Sequence, residues 1–145
     1  MPTYGDCHSA EIDASPQACF DALTDYESMP EWQSSIKRCE VVSRDEEGRG
    51  LEVDYKIDAK LRSIRYRLRY AYDEPRRIEI GFVEGDMKDL SGEYTLEPKG
   101  EGATQVTLSL RVKPGVRVPG PLERILEGRL MRGALEDLKQ RVESI

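Results

Sequence analysis

A single histidine, His8, stands in the 145 residues. A Ser-His-Asp triad or a histidine-rich metal centre therefore has little to draw on. Cysteine is scarce as well: Cys7, Cys19 and Cys39 are odd in number and not spaced as metal ligands, so neither a disulfide framework nor a zinc site is expected. Reduced thiols in a cytoplasmic protein are the natural reading, with no metal and no cofactor. Long apolar runs are missing too. None reaches the ~20 residues of a membrane span, and MPTYGDCHSAEI lacks the apolar core of a signal peptide, so no integral membrane segment is expected. Positive charge is not in excess: 22 Lys and Arg face 28 Asp and Glu, a net charge of −6. That argues against nucleic acid as the main partner, because phosphate binding needs clustered cations. There are no repeats, low-complexity tracts or linkers, so residues 1–145 read as one domain, large enough for a real core. Nothing here names an oligomeric state.

What is present is mostly alternation with period 2. A weak first strand covers residues 4 to 14. Ser15-Pro16 then forms an N-cap and first helical position, and PQACFDALTD follows as a short helix. YESMPEWQ reads as a second short helical turn, broken at Pro30. Six strands follow. They begin near Ile36, Leu51, Ile64, Ile78, Leu90 and Val106, with glycine- or proline-bearing turns between most of them. In the clearest one, Ile64, Tyr66, Leu68 and Tyr70 share one face and Arg65, Arg67 and Arg69 the other. Such alternation means one buried and one solvated face. The arginines fall on the solvated side with Glu52, Asp54, Lys56 and Asp58, where cross-strand charge ladders are expected.

The last quarter, from Pro119 to Ile145, reads as one long helix opened by Gly120-Pro121. A run of 24 helical residues would be about 36 Å long, enough to cross a sheet. Its early apolar positions, Leu122, Ile125 and Leu126, point nearly opposite to Met131, Leu135, Leu138 and Val142. Between them sit Gly128 and Gly133, each about 1 kcal/mol worse than alanine in a helix. Either the helix kinks near Gly128, or its first turn packs on a separate loop, or the missing side chains leave room beneath it.

The inner face is where function is sought. Tyr55, Tyr66, Tyr70 and Tyr94 share the parity of the aliphatic residues. A buried phenol needs a hydrogen-bond partner, and four on one face are hard to satisfy in a dry core. A largely apolar wall with a few polar groups is how small-molecule pockets are built. Leu51, Val53, Ile80, Phe82 and Leu108 are expected to supply apolar contact, with Phe20, Trp32 and Met131 closing the walls.

Two stretches carry a family resemblance. EIDASPQACFDALTDYESMPEW has Ala14, Pro16, Phe20, Leu23, Asp25, Pro30 and Trp32 at characteristic spacing. FVEGDMKDLSGEYTLEPKGEGATQVTLSLRV has Gly85, Leu90, Gly92, Tyr94, Gly102 and Val106 in register. With the closing helix, the chain resembles the START-like, Bet v 1-like superfamily, in its branch of polyketide cyclases/dehydrases and coenzyme Q-binding proteins. The resemblance implies an α+β helix-grip fold: a curved antiparallel seven-stranded sheet wrapped around a long C-terminal helix, with two short helices between strands 1 and 2. It also implies a tunnel for a hydrophobic small molecule such as a lipid, quinone, sterol or polyketide. The alternatives it brings are a polyketide aromatase/cyclase or dehydratase, and a ribosome-associated toxin-like regulator. For the cyclase, outward arginines and a histidine on the first strand leave no inward acid–base pair to name, so catalytic residues stay unassigned.

Overall fold

A computed structural model of the chain describes residues 4–33, 36–59, 62–114 and 130–144. The elements are β1 (Tyr4–Ile12), α1 (Pro16–Thr24), a 3-10 turn (Tyr26–Ser28), α2 (Met29–Trp32), β2 (Ile36–Arg44), β3 (Gly50–Ala59), β4 (Arg62–Asp73), β5 (Arg77–Gly85), β6 (Met87–Pro98), β7 (Thr104–Pro114) and α3 (Leu130–Glu143). The strands form one antiparallel sheet in the order β1-β7-β6-β5-β4-β3-β2. The chain thus leaves β1 at one edge, crosses through α1 and α2, and enters the sheet again at the far edge. It then meanders back until β7 pairs with β1. That crossing is what lays the short helices over one face. Register shifts in the β2–β3, β4–β5 and β6–β7 pairings mark irregularities of the kind that bend strands.

The local signals explain the helices. Ser15 Oγ accepts from the Ala18 N–H at 3.1 Å and caps α1, with Pro16 at the first helical position. Pro30 does not break the second helical segment as expected. It sits in the first turn of α2, where a proline's missing N–H costs nothing, and the preceding turn is 3-10.

In α3, Met131, Leu135, Leu138 and Val142 are buried. The helix packs on β1, α1 and α2 and touches β7. Lys139 Nζ donates to the Glu11 carbonyl at 2.9 Å, and the Asp13 N–H donates to Glu143 at 2.9 Å, tying α3 along β1. The predicted opening of this helix at Gly120-Pro121, with Leu122, Ile125, Leu126 and Gly128, lies outside the described residues. Gly133 corrects the expectation of room beneath the helix. It lies two residues from both Met131 and Leu135, about 200° around the axis. The open space at its Cα is therefore on the side away from the buried stripe.

The outer face matches its expected ladder at two rungs. Arg67 Nε donates to Asp54 at 2.6 Å, and Arg69 Nη2 donates to Glu52 at 3.3 Å. The third rung differs: Lys56 stands opposite Arg65, a like-charged pair. Gly92 is required by close approach, since a Cβ there would stand 2.1 Å from the Ser109 carbonyl oxygen.

Candidate functional site

The inner face carries a cluster of tyrosines that divides by hydrogen bonding. Tyr55 and Tyr66 are cross-strand neighbours on β3 and β4, and their rings stack with centroids 5.2 Å apart. The hydroxyls of Tyr55 and Tyr70 are 2.5 Å apart and bond each other. The Tyr26 hydroxyl, from the 3-10 turn, lies 2.7 Å from that of Tyr72, which donates to the Gly50 carbonyl at 2.5 Å. Tyr26 also packs on Tyr70 at 4.8 Å, and Phe20 meets the Tyr72 ring edge-on at 5.9 Å. Burial pushes the phenols of Tyr26, Tyr55 and Tyr70 well above their ordinary range, and Tyr72 up to about 12. These groups remain neutral donors. Beside them burial raises the Cys39 thiol to about 12, against the opposing effect of the Tyr55 hydroxyl.

So the expectation that the inward phenols need a wet or occupied cavity is corrected for two of the four. Tyr55 and Tyr70 satisfy each other inside the protein. Tyr66 and Tyr94 do not share this arrangement. Both are half-buried against the core, and neither hydroxyl has a hydrogen-bond partner among the described residues. Nor are they sealed: among the described residues the buried side-chain polar atom without a partner is Ser43 Oγ. Burial nonetheless raises both phenols, Tyr94 to about 12. Each hydroxyl is thus desolvated without being fully sealed. Gln33, 3% exposed, approaches from the helical side and donates through Nε2 to the Ala134 carbonyl of α3 at 3.2 Å.

A polar pair that sequence reasoning missed lies on β1. Asp6, His8 and Ala10 stand opposite Leu110, Leu108 and Val106 of β7, and directly paired residues share a face. The face is the inner one, on which Leu108 and Val106 are buried. His8 Nε2 is 2.7 Å from Asp6 Oδ2. The Cys7 N–H, then His8, hold the Asp6 carboxyl below its ordinary value, with a smaller contribution from Arg132 on α3. Asp6 is thus an ionised acceptor for the His8 ring at Nε2. Parity could have found the pair. The weak alternation of β1, polar on both faces, hid it.

Of the residues expected at the site, the structure gathers Tyr55, Tyr66, Tyr70, Tyr94, Val53, Ile80, Phe82, Leu108, Phe20, Trp32 and Met131 into one apolar cluster. Among them Trp32, Tyr66, Phe82 and Tyr94 are half-buried and the rest buried. Leu51 is half-buried and stands outside the cluster. The β2–β3 register shifts beside it, and Gly50 instead lies beneath the Tyr26 ring. Tyr26, Tyr72 and Gln33 join the cluster's polar set without having been expected. Tyr72 shares the parity of Tyr70 and was legible; Tyr26 sits in a short turn with no periodicity to read. Among the described residues no group of three or more His, Cys, Asp or Glu side chains could hold a metal ion, and no helix is long and apolar enough to cross a membrane.

Comparison with known proteins places this geometry. No curated protein sequence shows significant similarity to the chain. Among solved structures, a START superfamily protein from Mycobacterium smegmatis superposes with a TM-score of 0.87 at 24% identity, covering 97% of this chain and 98% of that one. The Zhui aromatase/cyclase from Streptomyces sp. R1128 gives 0.84 at 16% identity, covering 98% and 94%. The protein TTHA0849 from Thermus thermophilus gives 0.80 at 24% identity, covering 99% and 98%. At these identities the likeness is one of fold, the helix-grip sheet and closing helix. The sequence itself matches, over residues 12–139, the family described as polyketide cyclase / dehydrase and lipid transport. With that match spanning most of its length, the chain belongs to the polyketide cyclase / dehydrase and lipid transport family.

Proposed function

We propose that the protein binds a hydrophobic small molecule between the inner face of the sheet and the C-terminal helix. The observation that carries this reading is the pair of hydroxyls on Tyr66 and Tyr94, which have no hydrogen-bond partner among the described residues and belong, like Phe82, Leu110 and Trp32, to the half-buried side chains packed against the apolar core. A guest would meet an apolar wall with two hydroxyls that orient its polar atoms. Family membership supports the same reading, since lipid transport is part of the family's description.

The test is thermal melting and native mass spectrometry against a panel of quinones, sterols, fatty acids and aromatic polyketides. A guest at 100 times its dissociation constant stabilises by about 2.7 kcal/mol. Replacing Tyr66 or Tyr94 with Phe should weaken the best guest by about 0.5–1.5 kcal/mol, a few-fold in affinity. No stabilisation by any class, with no small molecule carried through purification, overturns the reading.

A second reading, an aromatase/cyclase or dehydratase, has one specific observation in its favour, the Asp6–His8 pair on the inner face. Its other expected support, an arginine reaching inward, is missing at Arg67 and Arg69, which are bonded to outer-face carboxylates.

A further inference from the structure

One rung of the outer face is unlike its neighbours. Arg38 of β2, Lys56 of β3 and Arg65 of β4 stand directly opposite one another in register, three cations in a row. Two strand spacings make that row about 10 Å long. Elsewhere on this face cations meet acids: Arg67 bonds Asp54, Arg69 bonds Glu52 and Arg77 bonds Glu93. Arg38 and Arg65 are exposed and Lys56 is half-buried, and none of the three has a carboxylate partner among the described residues. Like charges placed opposite one another destabilise a sheet. Such a row, in a chain with a net charge of −6, is a local positive field that an anionic surface would relieve.

We infer that this row docks the protein on an anionic phospholipid bilayer, with the more open end of the inner face turned toward the lipid. The choice of a bilayer rests on the proposed binding of a hydrophobic guest, because a guest of that kind partitions into lipid when it leaves the protein.

Position supports the inference. The row lies near the end of the sheet where β2 begins, β3 meets β4 and β5 meets β6. At the opposite end the inner face is closed, with Ile12, Ile78, Leu96 and Val106 at most 1% exposed. Toward the row it is less covered: Ile36, Ile64, Tyr66 and Met87 are half-buried. Charge is ordered along the same direction. The next rung away from this end is Glu40, Asp54, Arg67 and Glu84, so the cations lead and the acids trail. Asp86 lies beside Arg65 and accepts its backbone N–H at 2.9 Å. Acids farther off are screened beyond about 8 Å at physiological salt, whereas a cation at the surface is not. Each such cation adds about fivefold to partitioning onto an anionic leaflet, so three add on the order of 100-fold.

The test is flotation with vesicles of phosphatidylcholine alone, or of equal parts phosphatidylcholine and phosphatidylserine. The protein should float with the mixed vesicles only, and come off as sodium chloride is raised. Arg38→Gln/Lys56→Gln/Arg65→Gln should bind at least about tenfold more weakly. Arg44→Gln/Arg77→Gln/Lys99→Gln removes the same charge from the opposite end of the sheet and should bind within about twofold of wild type. Circular dichroism checks the fold of both. If the first triple variant does not fold, Arg65→Gln alone reads the same effect, about fivefold. No flotation of wild type with mixed vesicles, or equal loss in the two triple variants, overturns the inference. Sodium phosphate should release the protein no better than chloride at equal ionic strength. Selective release by phosphate would assign the row to a free phosphate and overturn bilayer docking. Nile red, a neutral apolar dye, is titrated in parallel without vesicles. If it binds while the protein ignores mixed vesicles, the docking alone fails. If it does not bind while flotation depends on the row, the guest site fails and the docking stands.

Discussion

Each inner-face phenol is a small accounting of donors and acceptors, and the tyrosines come out differently. Removing the Tyr55 hydroxyl leaves that of Tyr70 facing an apolar neighbour, and the reverse holds for Tyr70→Phe. Each single change should cost about 1–3 kcal/mol in urea unfolding, because a buried polar group loses its partner. The double change Tyr55→Phe/Tyr70→Phe should cost clearly less than the sum, since neither orphan is left. Tyr66→Phe and Tyr94→Phe remove hydroxyls that no described residue uses, and should leave stability within about 0.5 kcal/mol. A large loss from Tyr94→Phe would mean that its hydroxyl is consumed by the fold and closed to a guest.

At the scale of elements, α1 and α3 are held by different physics. The α1 start depends on Ser15 Oγ and Pro16, so Ser15→Ala should cost about 1 kcal/mol. The hold of α3 is its buried stripe. Leu138 is 0% exposed, and Leu138→Ala should cost about 2–5 kcal/mol, measured by the same unfolding curves. The outer-face ladder is the contrast. The Arg67–Asp54 and Arg69–Glu52 pairs are partly exposed, and removing either should cost less than about 1 kcal/mol, falling further with salt. Strand assignment, the charge ladder and the Ser15 cap were legible from residue order alone, because each depends on a neighbour at a fixed sequence offset or on parity. The Lys56–Arg65 rung was not, because register decides which charges meet.

At the scale of the whole molecule, burial raises the core phenols and a thiol together. Cys39 and Tyr26, Tyr55, Tyr66, Tyr70, Tyr72 and Tyr94 all have folded-state values raised by burial above the ordinary 9.0 of a thiol and 10.0 of a phenol. Above those values the unfolded chain has lost protons that the folded one still holds. Stability is therefore fully present below about pH 9 and falls as pH rises toward and through about 12. Ultraviolet absorbance at the phenolate band should show little tyrosine ionisation until a steep rise that coincides with loss of circular dichroism. Gradual ionisation of most tyrosines in a protein that stays folded would contradict their burial.

From residue order alone came one antiparallel sheet with a charged outer face, two helical segments ahead of β2, a closing helix, and phenols on the greasy side of the pleat. These follow from periodicity, capping and composition, which act between residues close in the chain. Tertiary structure alone decided that Tyr55 commits its hydroxyl to Tyr70 while no described residue takes those of Tyr66 and Tyr94, because hydroxyl partners come from separate strands. It also decided that Gly133 opens away from the sheet and that Asp6 and His8 turn inward. Each of those outcomes depends on which face of an element meets another, and that is set by packing and register.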